Sequence, residues 1–132
     1  MADYTIVNLL EIEDSVGGRV SGLEGRFSRK QIGSRDLGVS HFRWAPNIRA
    51  SKGHTHREQE EAYVVVSGSG RIRLDDEIRD IRGWDVIRVA PEVIRAFEAG
   101  PDGLELIAIG GPKPEGGDGM ISETPWPDEA EG

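Results

Sequence analysis

Two histidines one residue apart, His54 and His56, are followed by Glu61 in the stretch Gly53-His54-Thr55-His56-Arg57-Glu58-Gln59-Glu60-Glu61. On an extended chain His54 and His56 point to the same side. Glu61 opens the next apolar run, and extended geometry brings its carboxylate toward the same face. Two neutral nitrogens and one carboxylate suit a borderline divalent ion such as Zn, Fe, Mn, Ni or Cu. The chain has no cysteine, so a thiolate site is excluded and any metal is held by imidazole, carboxylate or water. Glu60, Gln59 and the third histidine, His41, are the other candidates for a ligand. Tyr63 alternates in phase with Glu61 and is a candidate for lining a substrate cavity.

Elements that place these groups follow from the punctuation of the chain. Its 132 residues suit one compact domain, and 18 glycines with 7 prolines suit many short strands joined by tight turns. Residues 1–24 read as an N-terminal arm that breaks at Gly17-Gly18. Strands are predicted over residues 25–32, 37–44 and 62–66, the last being the most β-prone run, with Ser67-Gly68-Ser69-Gly70 stopping it. Arg71–Leu74 and Ile78–Ile81 flank Asp75-Asp76-Glu77 as a hairpin. Asp85–Val89 is another strand. Arg95–Ala99 and Leu104–Ile109 are read as two more, separated by the turn Gly100-Pro101-Asp102-Gly103. Such spacing means a sandwich or a small closed barrel. Residues 25–111 form this unit. Residues 112–132 read as a Gly/Pro-rich acidic tail, flexible except where Trp126 folds back onto the barrel or a partner subunit.

With these elements in place, the stretch His54-x-His56, four residues, Glu61, six residues, Gly68 resembles the first motif of the cupin superfamily. Residues 83–97, with Asp85, Pro91 and Phe97, resemble the second. The resemblance spans roughly residues 38 to 110 and implies an all-β jelly-roll barrel, the double-stranded β-helix. It also implies a metal bound by two histidines and a glutamate from the first motif and a histidine from the second. Arg95 stands at that last position. A guanidinium has no free acceptor and repels a cation, so metal affinity is expected to be weakened. Trp84, Glu92 and Ile48 stand where the motifs usually have glycine, which implies altered turns.

Three arrangements follow for the site. His54, His56 and Glu61 form an open three-ligand set, or Glu60, Gln59 or His41 supplies a replacement, or Arg95 and the histidines grip an anion without metal. The function expected is a small cytoplasmic protein binding a small polar or anionic molecule in the barrel, with substrate contacts from Arg95 and Tyr63. The alternatives are a metal-dependent oxygenase, isomerase or decarboxylase, a metal-free epimerase using His56 and Tyr63, and a structural dimer. A homodimer is expected from the resemblance in any of these cases. A net charge of −8 argues against a nucleic-acid partner, and no run of about 18 apolar residues marks a membrane span.

Overall fold

The computed structural model describes residues 1–129. Eight strands make one curled sheet: β1 (Leu23–Phe27), β2 (Gly38–Trp44), β3 (Gly53–His56), β4 (Glu61–Leu74), β5 (Glu77–Arg82), β6 (Val86–Val89), β7 (Arg95–Gly110) and β8 (Gly119–Ser122). One hydrogen-bonded path runs β1-β2-β7-β3-β8, and β4 joins it by pairing with β7 while also pairing with β5 and β6. All pairings are antiparallel. The jelly-roll expectation holds. No helix among the described residues is long and apolar enough to cross a membrane.

Two expected stops are bends instead. β4 runs through Ser67-Gly68-Ser69-Gly70, and β7 runs through Gly100-Pro101-Asp102-Gly103, so the pair spans the barrel as two long strands. Their register slips between Val65 and Ser67 and again between Gly68 and Gly70. Glycine is required there because the two backbones approach closely. A Cβ on Gly68 would lie 2.1 Å from the Gly103 carbonyl oxygen, and one on Gly70 would lie 2.1 Å from that of Glu98. Glycine in a strand therefore bulges and bends it here rather than ending it.

The core lies between the walls of the barrel and includes Trp44, Tyr63, Val65, Ile72, Phe97, Leu104 and Leu106. Phe97 packs edge-on against Tyr63 at 5.0 Å and tilted against Trp44 at 5.2 Å. Each such pair adds about 0.5–1.5 kcal/mol beyond the burial of its area.

Strand register explains why one end of the barrel stays open. Gly38, Gly110 and Glu61 are neighbours across β2, β7 and β4, as are Ser40, Ala108 and Tyr63, and then Phe42, Leu106 and Val65. Residues paired across strands and two apart along them share a face. From one row to the next this inner face changes from glycine and carboxylate, through serine, alanine and tyrosine, to large apolar side chains. The apolar row closes the core, and the small residues leave a cleft above it.

The N-terminal arm covers one side of that cleft. Asp14 fixes it by accepting hydrogen bonds from the backbone N–H groups of Val16, Gly17 and Gly25, at 2.9, 2.9 and 3.0 Å. These bonds hold its carboxyl down at about 2, below the ordinary 3.8. A depressed folded-state value gives stabilisation that is present above the ordinary value and lost as pH falls through the folded one. Hydrogen exchange at those three amides is therefore expected to accelerate in Asp14→Ala at neutral pH. In the unaltered chain it should accelerate, relative to the barrel core, only as pH falls from about 3.8 toward 2. Equal protection in the variant would show that the arm is held by other means.

The stretch expected as a tail contributes structure. β8 pairs with β3 from Gly53↔Ser122 to His56↔Gly119. Trp126 is 1% exposed, donates from Nε1 to the Ala50 carbonyl at 2.8 Å, and lies under the Arg49 guanidinium at 4.1 Å. Arg49 continues to Asp128 and Glu129, which fasten residues 126–129 to the barrel. Trp126 thus folds back as expected, whereas a Gly/Pro-rich composition hid the strand before it.

Candidate metal centre

β3 carries His54 and His56, and Glu61 opens β4. Donor atoms of the three residues all lie within 4.8 Å of one another. The imidazole rings meet edge to face, with centroids 5.4 Å apart and planes at 84°. From Glu61 Oε1, His56 Nε2 is 3.2 Å away and His54 Nε2 is 3.7 Å away. Although His56 Nε2 is in ion-pair range, it is buried and has no partner in hydrogen-bond geometry among the described residues. Its other nitrogen, Nδ1, is held by Asp118 Oδ1 at 2.9 Å. A carboxylate on one imidazole nitrogen fixes the ring and directs the opposite nitrogen at the ion, as in many metalloproteins. The residues present therefore fit a divalent transition metal.

Asp118 comes from the expected tail and was not legible as a site residue. Its Oδ2 accepts from the backbone N–H groups of Glu58 and Gln59, at 2.9 and 2.8 Å. Burial works against its charge, but the bonds from His56, Glu58 and Gln59 prevail and hold its carboxyl at about 2. His56 titrates above its ordinary value of 6.5, chiefly through its interaction with Glu61, with burial opposing and Asp118 adding to it.

Arg95 is placed elsewhere than the anion-gripping arrangement requires. It is fully buried, and its Nη1 donates to Glu61 Oε1 at 3.0 Å while Nη2 donates to the Ala90 carbonyl at 2.6 Å. The guanidinium is thus the internal partner of Glu61. It lies opposite His54 in the β3–β7 register, not among the residues lining the cleft. Burial opposes the Glu61 charge, yet the nearby imidazoles of His54 and His56 and the hydrogen bond from Tyr63 outweigh it, and the carboxyl titrates well below its usual range.

Tyr63 does line the cleft, and its hydroxyl donates to Glu61 Oε1 at 2.5 Å. Burial first, and then the Glu61 charge, raise its pKa well above the ordinary phenol value. The Tyr63 hydroxyl is thus engaged by Glu61 and is not paired with His56 as the metal-free epimerase reading needs. Glu60 points outward to Arg88 at 2.6 Å and does not join the cluster. Gln59 is buried, lies against Gly110 and donates to the Gly111 carbonyl at 3.1 Å. His41 is structural: Nε2 meets Glu105 at 2.6 Å and Nδ1 meets Arg26 at 3.3 Å. Trp84, standing where glycine was expected, has φ 74° and a 78% exposed side chain, so the turn keeps a glycine-like backbone with its indole in solvent.

The cleft before His54, His56, Glu61 and Tyr63 encloses about 1200 Å³ and extends to the N-terminal arm on one side and to residues 116–119 on the other.

No family model and no curated protein matches the chain. Solved structures do. A cupin protein from Bacteroides fragilis has a TM-score of 0.70 at 20% identity, covering 85% of this chain and 86% of its own. The polyketide cyclase RemF from Streptomyces resistomycificus has a TM-score of 0.72 at 17% identity, covering 89% and 83%. A sugar phosphate isomerase of the cupin superfamily from Silicibacter pomeroyi has a TM-score of 0.70 at 20% identity, covering 83% and 76%. Likeness at this level of identity speaks to fold. Together with the eight-stranded curled sheet and the His54, His56 and Glu61 cluster at its open end, it establishes that the chain has the cupin fold.

Proposed function

We propose that this chain binds a divalent transition metal through His54, His56 and Glu61 and holds a small polar or anionic molecule against it in the cleft. The observation that carries this reading is the buried Nε2 of His56, directed into the donor cluster by Asp118 on the ring's far side and left without a hydrogen bond. The metal would act as a Lewis acid for an oxygen of the bound molecule. The protein's own residues fix the donors: Asp118 orients His56, while Tyr63 and Arg95 orient Glu61. The apolar row beneath Tyr63 closes the floor against water.

Arg95 gives the site an unusual balance. Because Glu61 is already neutralised by a buried cation, the cluster is stable without an ion, which suits weak or exchangeable binding. Protons compete with metal at the histidines, so affinity should rise with pH through the raised titration of His56. The same reading includes a homodimer, for which β1 and β8 lie at the ends of the hydrogen-bonded strand order.

Elemental mass spectrometry on untagged, chelator-free protein tests the proposal. Zn, Fe, Mn, Ni or Cu, retained on purification or taken up when the ion is supplied, is expected, and its loss in a His54→Ala/His56→Ala double variant. Sub-stoichiometric metal that the double variant leaves unchanged overturns it.

A further inference from the structure

Arg29, in the turn after β1, lines the same cleft but belongs to none of the groups that hold the histidines and Glu61. Its Nη2 donates to the Gly111 carbonyl at 3.1 Å, while Nη1 is buried and has no hydrogen-bond partner among the described residues. The guanidinium rests directly on Gly38, where a Cβ would fall 2.5 Å from Nη2. Beside it the Gln59 amide rests on Gly110 in the same way, with a Cβ there 2.6 Å from Nε2. Both side chains donate to the same Gly111 carbonyl.

Gly38, Gly110 and Glu61 are register neighbours on three adjacent strands, so Arg29, Gln59 and Glu61 stand over one row of the inner face. Two strand spacings place the seat of Arg29 about 10 Å from the start of Glu61, a gap suited to a short molecule. A buried N–H without an acceptor is costly, and a guanidinium presents donors in a fork that matches carboxylate and phosphate oxygens. Arg95 does not take that role: its Nη1 and Nη2 go to Glu61 and the Ala90 carbonyl, and it does not line the cleft.

We propose that Arg29 is a substrate-binding residue that holds the terminal oxyanion, carboxylate or phosphate, of a small molecule whose other end lies at His54, His56 and Glu61. This assignment rests on reading those three residues as the reacting end. It gives the cleft a polarity, with a fixed cation over Gly38 at one pole and the donor cluster at the other, and makes a short compound carrying an anionic end the favoured class. The exposed Lys30 and the nearby Lys113 add positive potential at the rim.

Calorimetric titration of the protein as purified, and again after chelation, tests this with three probes: glutarate, glycerol 3-phosphate and the neutral 1,5-pentanediol. At least one of the two anions is expected to bind tighter than the diol, and Arg29→Gln is expected to weaken it by about tenfold to a hundredfold. Arg29→Lys should recover part of the loss. Which anion wins identifies the head group. Circular dichroism and metal content of Arg29→Gln should match those of the unaltered chain, which separates this site from the metal cluster. If no metal is present yet the Arg29→Gln effect persists in chelated protein, the metal reading fails and the oxyanion subsite stands. Anions that bind no tighter than the diol, or with an affinity Arg29→Gln leaves unchanged, overturn the proposal.

Discussion

Arg95→His is expected to tighten divalent-metal binding by about two orders of magnitude or more while destabilising the metal-free protein. The Arg95 guanidinium lies 3.0 Å from Glu61 Oε1. A metal–oxygen bond adds about 2 Å, so an ion on Glu61 would face that positive charge across roughly 5 Å. At an effective dielectric constant of about 20, a unit charge repels a second unit charge at that distance by about 3 kcal/mol. Removing the cation relieves this repulsion, and the imidazole adds a donor at the position where the resemblance to cupins places the fourth ligand.

The cost falls on the apo state. Arg95 is buried and also donates to the Ala90 carbonyl, so its loss strips Glu61 and a carbonyl of partners. Breaking one side of a buried pair costs about 3–5 kcal/mol. Competition titrations with a metal-sensitive chelator, together with thermal melts with and without Zn, read both effects. Metal should restore the melting temperature of Arg95→His above that of its apo form by more than it does for the unaltered chain. Unchanged metal affinity would show that Arg95 does not limit the site.

The candidate donor cluster was legible because it is local. His54 and His56 sit at strand spacing, and Glu61 opens the most β-prone run of the chain. Arg95 was legible as an anomaly, but whether it faced a ligand or Glu61 depended on a contact between residues far apart in sequence, which no periodicity encodes. The glycine-rich breaks after Val66 and Ala99 looked like strand ends because glycine lacks β propensity. Only the pairing of β4 with β7 shows that the glycines let two bulged backbones approach closely. Asp118 was hidden for a related reason. It follows Gly116-Gly117, and its value comes from β8 pairing with β3, which places it beside His56. Arg29 lacked any local signal, since its setting is made by Gly38 on the next strand and by Gly111 at the end of β7. Residues that hold or complement the donors are thus supplied by sheet register, and those that donate are supplied by a short motif.

Asp118→Ala is expected to damage both fold and site, and the two losses share one cause. Its carboxylate accepts from the Glu58 and Gln59 backbone N–H groups and from His56 Nδ1, and the residue is buried. Removing it orphans three donors at once, at a cost of about 3–5 kcal/mol, given roughly 1–3 kcal/mol for each buried group left unsatisfied and some recovery by water. At about 3–5 °C per kcal/mol for a chain of this length, the melting temperature should fall by roughly 10–20 °C. Metal affinity should fall by about tenfold to a hundredfold, as His56 loses the group that fixes its ring.

Asp118→Asn separates the two losses. Its side-chain oxygen can still accept from a backbone N–H, so much of the stability should return, while the charge that polarises His56 does not. Proton linkage adds an independent check. The depressed Asp118 carboxyl stabilises the native state above its ordinary value of 3.8, and that contribution is lost as pH falls through about 2. His56, raised above 6.5, contributes fully below its ordinary value and loses that contribution as pH rises through its folded-state value. The metal-free protein should therefore gain most from this pair between about pH 4 and 6.5, and Asp118→Ala should flatten its stability profile across both flanks. A melting temperature within about 2 °C of the unaltered chain, with the same pH profile, would mean that β8 is held to β3 without Asp118 and that the strand, rather than the carboxylate, positions His56.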